Sequence, residues 1–370
     1  MKGELPLQSF EVEGFRGIRE LSLPLLGRVN LLVGKNNAGK TSLLEAVRLY
    51  LYRNERALRF VLFEILRDHS GVRQPGFSRQ GTGPQIEDLE AAAGAAEALF
   101  FGSFGEGLLG PIRLRPEPMS SAGLTIRLPW LKETGFETAE LDQSSRALFL
   151  APDTAILEME SEQVSTEFPV DWFIRRTPIY RPGDHDPAFM IPASGLEPFK
   201  IRRMWDQVAV AGQEGLVEEA VRTIVPNLDR ILLVGESGRR SVLFKLSGVA
   251  RPVPIESMGD GVNRVFAIAV AMVLAKNGAL LVDEIDNGLH FTVQDEVWQA
   301  IFSLATQFDV QVFATSHSWD TLVGFQYAAN QSPATGILYR LERRPEGRVD
   351  AILFSEEEVE IAAEQQIEIR

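Results

Sequence analysis

The sequence predicts an α/β fold built on a mixed or parallel sheet, with antiparallel strands at its N-terminus and an inserted α+β and helical region. Three observations predict it. Val29–Val33 is a short apolar run of the kind that suits a buried parallel strand. A glycine-framed loop, Gly34–Gly39, follows at once and opens into Lys40–Tyr52, where Leu43, Leu44, Val47 and Leu51 recur at helical spacing. Towards the C-terminus two helical segments each lead into an apolar strand, and that alternation implies a parallel sheet.

In chain order, Phe10–Val12 and Ile18–Leu23 are β-like runs separated by Gly14-Phe15-Arg16-Gly17. After Lys40–Tyr52, residues 54–67 continue as helix, with Leu58, Val61, Leu62, Ile65 and Leu66 on one face. Ser70–Pro84 is rich in Gly, Gln, Ser and Pro and reads as a loop. The middle predicts a helix near Ile86–Leu99, strands at Pro111–Arg115, Leu124–Leu128, Ile156–Met159 and Trp172–Arg175, and helices at Leu196–Val210 and Gly215–Val225. Ile231–Val234 and Ser241–Leu246, joined by Gly235–Arg240, read as a hairpin. Asp260–Lys276 is a helix before the strand Ala279–Val282, and Val293–Gln307 a helix before the strand Val310–Ala314. A last hairpin, Ile337–Arg343 and Arg348–Phe354, turns at Pro345-Glu346-Gly347, and an acidic helix containing Glu356–Glu358 closes the chain. No repeat and no sustained heptads interrupt this order. The chain divides into 1–53 and 251–370, which carry the chemistry, and 54–250, an insertion that completes the lobe.

The 370 residues allow one large or two modest domains. A formal net charge of −14 argues against a chain coated for nucleic acid but leaves a local basic surface open. Zero cysteines exclude a disulfide framework and thiolate metal sites, and fit a reducing compartment. The first residues, MKGELPLQSFEVEGF, lack a signal-peptide pattern, and the longest apolar stretch, Val265–Ala275, is too short to cross a bilayer. The expectation is a soluble, cytoplasmic protein without a membrane partner.

Gly34-Lys35-Asn36-Asn37-Ala38-Gly39-Lys40-Thr41 fits the phosphate-loop pattern GxxxxGK[ST]. The two glycines let successive amides of Asn36, Asn37 and Ala38 turn inward on phosphate oxygens, and the helix starting at Lys40, with Ser42 in its first turn, adds its positive end. Lys40 would reach the β- and γ-phosphates of ATP and the Thr41 hydroxyl would ligate Mg²⁺. Asp283 and Glu284 end the buried strand Ala279–Val282: Asp283 suits the metal, and Glu284 suits polarising the attacking water. Thr315-Ser316-His317 ends the next apolar strand, where ligands gather in open parallel sheets, and His317 would sense or stabilise the γ-phosphate. Ser257-Met258-Gly259-Asp260-Gly261 stands before a helix start, a second anion-binding end that competes with a plain capping turn. His69, His185 and His290 read as loop or turn residues, and Asp184 with Asp186 as a solvated pair. Together these residues describe an ATP-binding and ATP-hydrolysing protein.

The set resembles the ATP-binding-cassette (ABC) ATPases of the RecF, SMC and OLD-like branch, which implies an ABC-ATPase-type P-loop fold. Lys40 and Thr41 match Walker A, Asp283 and Glu284 Walker B, His317 the switch histidine, Ser257–Gly261 the signature loop and Asp286 the D-loop. Asp283–His290 followed by Ala314–Ser318 is similar to small bacterial OLD-like ATPases, some associated with anti-phage defence. The resemblance covers 1–53 and 250–330. It implies a head-to-tail homodimer in which each ATP lies between the Lys40 loop of one subunit and the partner subunit's Ser257, Gly259 and Gly261. The signature lacks LSGGQ, which disfavours a transporter subunit. Gln143 and Gln163 are the candidates for the Q-loop, and Arg16 matches an arginine such ATPases use near the nucleotide. The residues after His317 leave no room for a TOPRIM nuclease, so a separate effector, a nuclease or toxin, is expected. The alternative is a RecF-like repair ATPase gripping DNA through Arg113 and Arg115, Arg175 and Arg176, Arg202 and Arg203, or Arg239 and Arg240, which otherwise read as solvated faces.

Overall fold

The computed structural model describes residues 4–53, 57–70, 94, 96, 98–101, 110–116, 123–127, 156–161, 165–169, 187–235 and 241–354. Two six-stranded sheets and one three-stranded sheet organise the described residues. The first begins with the hairpin β1 (Phe10–Phe15) and β2 (Ile18–Leu23), in register from Phe10 opposite Leu23 to Phe15 opposite Ile18. Arg16, at φ 53°, turns it. β4 (Ile112–Arg115), β5 (Leu124–Arg127), β6 (Ile156–Glu160) and β7 (Ser165–Pro169) extend it in the order β2-β1-β4-β5-β6-β7, antiparallel throughout.

The central sheet runs β15 (Val349–Phe354), β14 (Gly336–Arg343), β3 (Val29–Val33), β13 (Gln311–Ser316), β12 (Ala279–Val282) and β8 (Ala188–Ile191). All pairings are parallel except that of the edge strand β15. Its strands carry no apolar/polar alternation because both faces are covered, and the two-residue period appears instead as a division between two cores. Leu32, Leu281 and Phe313 point into the core shared with the first sheet and α1 (Lys40–Leu51). Leu31, Val33, Leu280, Val282, Val312 and Ala314 point into the opposite core, with α5 (Asp260–Leu274), α6 (Gln294–Gln307) and α7 (Trp319–Gln331). The apolar run at Val265 is therefore the central helix of a core: every residue from Arg264 to Val273 is buried.

The insertion is woven into both layers. β4 pairs with β1 and β8 pairs with β12, so the segment supplies strands to each large sheet. α2 (Leu58–Ser70) contacts α1, while α3 (Pro198–Val210) and α4 (Glu214–Arg222) pack on α5. β9 (Leu228–Val234), β10 (Ser241–Leu246) and β11 (Val253–Pro254) form the small sheet, with the hairpin register expected from the sequence. Among the described residues no helix is long and apolar enough to cross a membrane.

Two elements at the site depart from the sequence expectation. β8 lies in a stretch to which the sequence expectation assigned no element, and α7 follows His317 where no helix was expected. The helix α7 is capped by the Ser318 side chain, but Gly324 and the buried Thr321 and Gln326 blur its apolar stripe. Gly324 is there for space, since a Cβ would stand 3.1 Å from Gln294 Cβ on α6. The expected strand Trp172–Arg175 and the closing acidic helix lie outside the described residues, as do the loop 71–84 and most of the helix expected near Ile86–Leu99.

Candidate functional site

The parallel registers bring the motifs to one sheet edge. Val33, which precedes the glycine loop, sits opposite Ser316, which precedes His317. Val282, which precedes Asp283, sits opposite Ala314 on one side and Ile191 on the other. Loops following adjacent parallel strands therefore converge at their carboxyl ends, where open α/β sheets bind ligands.

The loop itself is shaped for an anion. Gly34 has φ 149° and Gly39 has φ 97°, backbone regions that a side chain disfavours. A Cβ on Gly34 would stand 2.6 Å from the Leu341 carbonyl oxygen, so glycine is required for close packing as well. Lys35, Asn36 and Asn37 are exposed, Ala38 is buried, and Gly39 caps α1 in the left-handed conformation. Lys40 is 8% exposed, and its ammonium donates to the carbonyls of Gly34 and, at 3.1 Å, Lys35. The loop thus curls around its own lysine. Ser42 is half-buried in the first turn of α1.

Asp283 ties the loop to the sheet. The Thr41 hydroxyl donates to Asp283 Oδ2 at 2.8 Å, and the Thr315 hydroxyl donates to Oδ1 at 2.6 Å. Thr315 Oγ1 also accepts from the Glu284 amide at 2.8 Å, so one threonine holds both acidic positions. Glu284 adopts φ 48°, unusual for a residue with a side chain, and its Oε2 accepts from the Asn287 amide nitrogen at 2.7 Å. From α5, the buried Arg264 donates to the backbone carbonyls of Asp283, Glu284 and Pro192. The sequence reading missed Thr315 as a ligand of Asp283, and also Asn287 and Arg264. The first two lay inside recognised motifs, whereas Arg264 is one polar residue in an apolar helix, a signal in itself.

Charge is concentrated here. Burial pushes the Lys40 ammonium below its ordinary pKa, while Asp283, Glu284 and Asp286 pull it back up. Arg264 is also lowered by burial and supported by the same carboxylates. Three acids thus face two buried cations, and Asp286 Oδ1 is buried without a hydrogen-bond partner among the described residues. The Thr41 hydroxyl and Asp283 carboxylate are hard oxygen donors and would hold Mg²⁺, with water and phosphate completing its shell. Among the described residues no group of three or more His, Asp or Glu forms an all-protein metal cage.

Residues 184–324 match the AbiEii-like AAA domain family (AAA_21; AbiEii toxin, Type IV TA system), and residues 5–74 match a family of unknown function (DUF2813). An SMC head solved bound to the C-winged helix domain of ScpA superposes with TM-score 0.52 at 13% identity, covering 97% of this chain and 99% of that one. The Pyrococcus furiosus SMC head with an extended coiled coil, bound to the C-terminal domain of ScpA, gives TM-score 0.51 at 11% identity, covering 97% and 99%. This is an ABC/AAA-type ATPase fold. An uncharacterised protein of Methanocaldococcus jannaschii is 45% identical over 62 residues, 17% of this chain and 27% of that protein, so the chain spans little of its curated relative's length.

Within this fold the segment Ser257–Gly261, expected as the signature loop, stands beside the acidic turn at Gly288. Ser257 ends a short 3-10 turn (Ile255–Ser257) and is exposed, while Gly259, at φ 88°, is the residue that caps α5. Ser257 is therefore not the cap itself, and Asp260 occupies the first turn. Gly261 and Gly288 pack backbone to backbone: a Cβ on Gly261 would stand 2.6 Å from the Gly288 carbonyl oxygen. A cavity of about 460 Å³ opens beside this contact, lined among others by Ser194, Arg202, Glu256, Arg264 and Asn287. No residue of the 34–42 segment lines it.

His317 is half-buried directly after β13, between the glycine loop and the acidic turn. Arg16 is ion-paired with Glu45 of α1, so it stands against the helix of the glycine loop rather than open above the loop. Arg343, which the sequence reading passed over, reaches Asn37 Oδ1 at 3.3 Å. Arg115 pairs with Glu11 and Glu13, and Arg113 with Glu13, across β1 and β4. Arg202 lines the cavity and Arg203 lies over the Phe199 ring. His290 caps the turn Phe291–Val293 through Thr292. Gln143, Gln163, Arg175, Arg176, Asp184, His185, Asp186, Arg239 and Arg240 lie outside the described residues.

Proposed function

We propose that this chain binds ATP with Mg²⁺ and hydrolyses it to ADP and phosphate, as an ATP-sandwiched homodimer whose closure switches a separate effector. The carrying observation is the Asp283 carboxylate, bonded on one oxygen to Thr41 of the glycine loop and on the other to Thr315. That bond joins the phosphate-binding and metal-binding motifs into one unit, as phosphoryl transfer to water requires. In this reading Gly34–Ser42 bind the phosphates, Thr41 and Asp283 hold the metal, and Glu284 polarises water. Lys40 and His317 face the γ-phosphate. Residues 1–53 and 251–370 carry the chemistry, 54–250 completes the lobe, and the cysteine-free chain works in the cytoplasm.

The cavity beside the signature helix supports the dimer, because it opens where no glycine-loop residue of the same chain lies. Ser257, Gly259, Gly261 and Asp286 then meet the nucleotide bound by a second copy. The AbiEii-like domain match supports a toxin or nuclease effector in defence over the DNA-maintenance role. The ion pairs of Arg113 and Arg115 favour an effector over a duplex, since they neutralise charge that phosphate binding would use.

The test is Glu284→Gln protein with ATP and Mg²⁺, followed by light scattering on a sizing column. ATP should convert it to a dimer, adding Ser257→Arg should abolish that dimer, and Lys40→Ala should abolish turnover of the parent protein. A Lys40→Ala form that turns over ATP as fast as the parent ends the ATPase reading. A Glu284→Gln protein that stays monomeric with ATP ends the sandwich.

A further inference from the structure

Asn287 lies in the acidic turn without an assigned role, and its side chain is placed between Glu284 and the cavity beside α5. Its amide nitrogen donates to Glu284 Oε2 at 2.7 Å and to the Ala193 carbonyl at 3.1 Å. Its backbone amide donates to the Glu284 carbonyl at 3.0 Å. The carboxylate is thereby held through Oε2. The peptide is fixed independently, by Thr315 at its amide and Arg264 at its carbonyl. A carboxylate that must accept a proton at a defined point needs its χ angles fixed, and a single donor on one oxygen fixes them at the least cost in basicity.

The next residue carries the connection outward. Gly288, at φ 77°, is wedged against the N-terminus of α5: a Cβ there would stand 2.7 Å from Asp260 Cβ. Asn287 and Gly288 both line the cavity that opens beside the signature segment.

Resting on the ATPase reading above, we propose that Asn287 is the positioning residue of the base, orienting Glu284 for water. The experiment measures steady-state ATP hydrolysis by the full chain, wild type, Asn287→Ala and Asn287→Asp, together with ATP-dependent dimerisation of each. The Asp variant keeps the size of the side chain and replaces the donor with an acceptor. Both variants should lose roughly 10- to 100-fold in kcat, the range spanned by removing a hydrogen bond to a charged group. KM for ATP should stay within about twofold, because Asn287 touches neither the glycine loop nor the metal ligands. Both should also accumulate the ATP dimer, as Glu284→Gln does, because they bind but do not turn over. Wild-type kcat in both variants, a rise in kcat, or a parallel loss of ATP affinity and dimer would each overturn the role of Asn287 while leaving the ATPase reading intact. If wild type itself does not turn over ATP, or Lys40→Ala matches it, both readings fall.

Discussion

Thr315→Val tests whether the acidic turn is held as the hydrogen bonds indicate. Thr315 is 0% exposed, and its hydroxyl serves two groups at once: it donates to Asp283 Oδ1 at 2.6 Å and accepts from the Glu284 amide at 2.8 Å. Valine copies the branched shape, so the loss is polar rather than steric. A hydrogen bond to a charged group is worth about 1.5–3 kcal/mol, and a buried amide left without a partner costs about 1–3 kcal/mol. The sum, about 2.5–6 kcal/mol, is a large share of the roughly 5–15 kcal/mol that holds an average domain together. Thr315→Ser is the control: it keeps the oxygen and removes one methyl, about 1 kcal/mol.

The assay is urea unfolding of nucleotide-free protein, read as a shift of midpoint at constant slope. The same proteins are then assayed for ATP hydrolysis, where Val should lose at least tenfold in kcat and Ser should stay within a few-fold of wild type. A valine variant within about 0.5 kcal/mol of wild type, the scatter of an inconsequential substitution, would refute the bonding scheme. So would serine and valine variants that lose equally, since the hydroxyl would then be irrelevant.

Lys40 gives a pH prediction. Burial holds its pKa below the ordinary 10.5, so between the folded value and 10.5 the unfolded chain carries a proton that the folded chain lacks. Stability must rise with pH across that window. Urea midpoints of wild type and Lys40→Met at pH 7 and pH 10 should therefore show the difference moving in favour of wild type at the higher pH. Movement the other way would refute burial as the dominant cause. Gly288→Ala and Gly248→Ala both force a side chain to positive φ, 77° and 81°, but only the first meets an obstacle. Both should cost about 1–2 kcal/mol for the backbone, and Gly288→Ala should cost clearly more and lower kcat as well. Equal losses in urea unfolding would show that the contact with Asp260 is easily relieved.

The site was legible in the sequence where chemistry fixes spacing, and illegible where only the chain's path decides. Gly34, Gly39, Lys40 and Thr41 are adjacent in sequence because a phosphate cradle is a local structure, and the loop has the predicted strand before it and helix after it. Likewise Asp283 sits at the end of a strand whose apolar run gave it away. The partners of these residues come from far along the chain: Thr315 is 32 residues from Asp283, and Arg264 is 20 from Glu284. No local pattern encodes such distances. β8 was missed because four residues, Ala188–Ile191, with a moderate apolar character are too few for periodicity to register. Its consequence was to leave Pro192–Ser194 unrecognised as the segment beside the acidic turn, although the carbonyls of Pro192 and Ala193 accept from Arg264 and Asn287 there.

The electrostatic arrangement explains why the two halves of the site should respond to each other. Asp283, Glu284 and Asp286 are felt by Lys40 on the glycine loop and by Arg264 on the signature helix alike. Neither cation can be moved or neutralised without altering what the other experiences, because all five groups share one poorly solvated volume. The Lys40 ammonium donates to the carbonyls of its own loop. A triphosphate would offer it better acceptors and draw it away from the acids, leaving Arg264 to carry more of their charge. Arg264 holds the carbonyls of Asp283 and Glu284, and so ties α5 to the turn that contains Asn287 and Gly288. On the ATPase reading, occupancy of the glycine loop and the posture of α5 would be two readings of one charge balance.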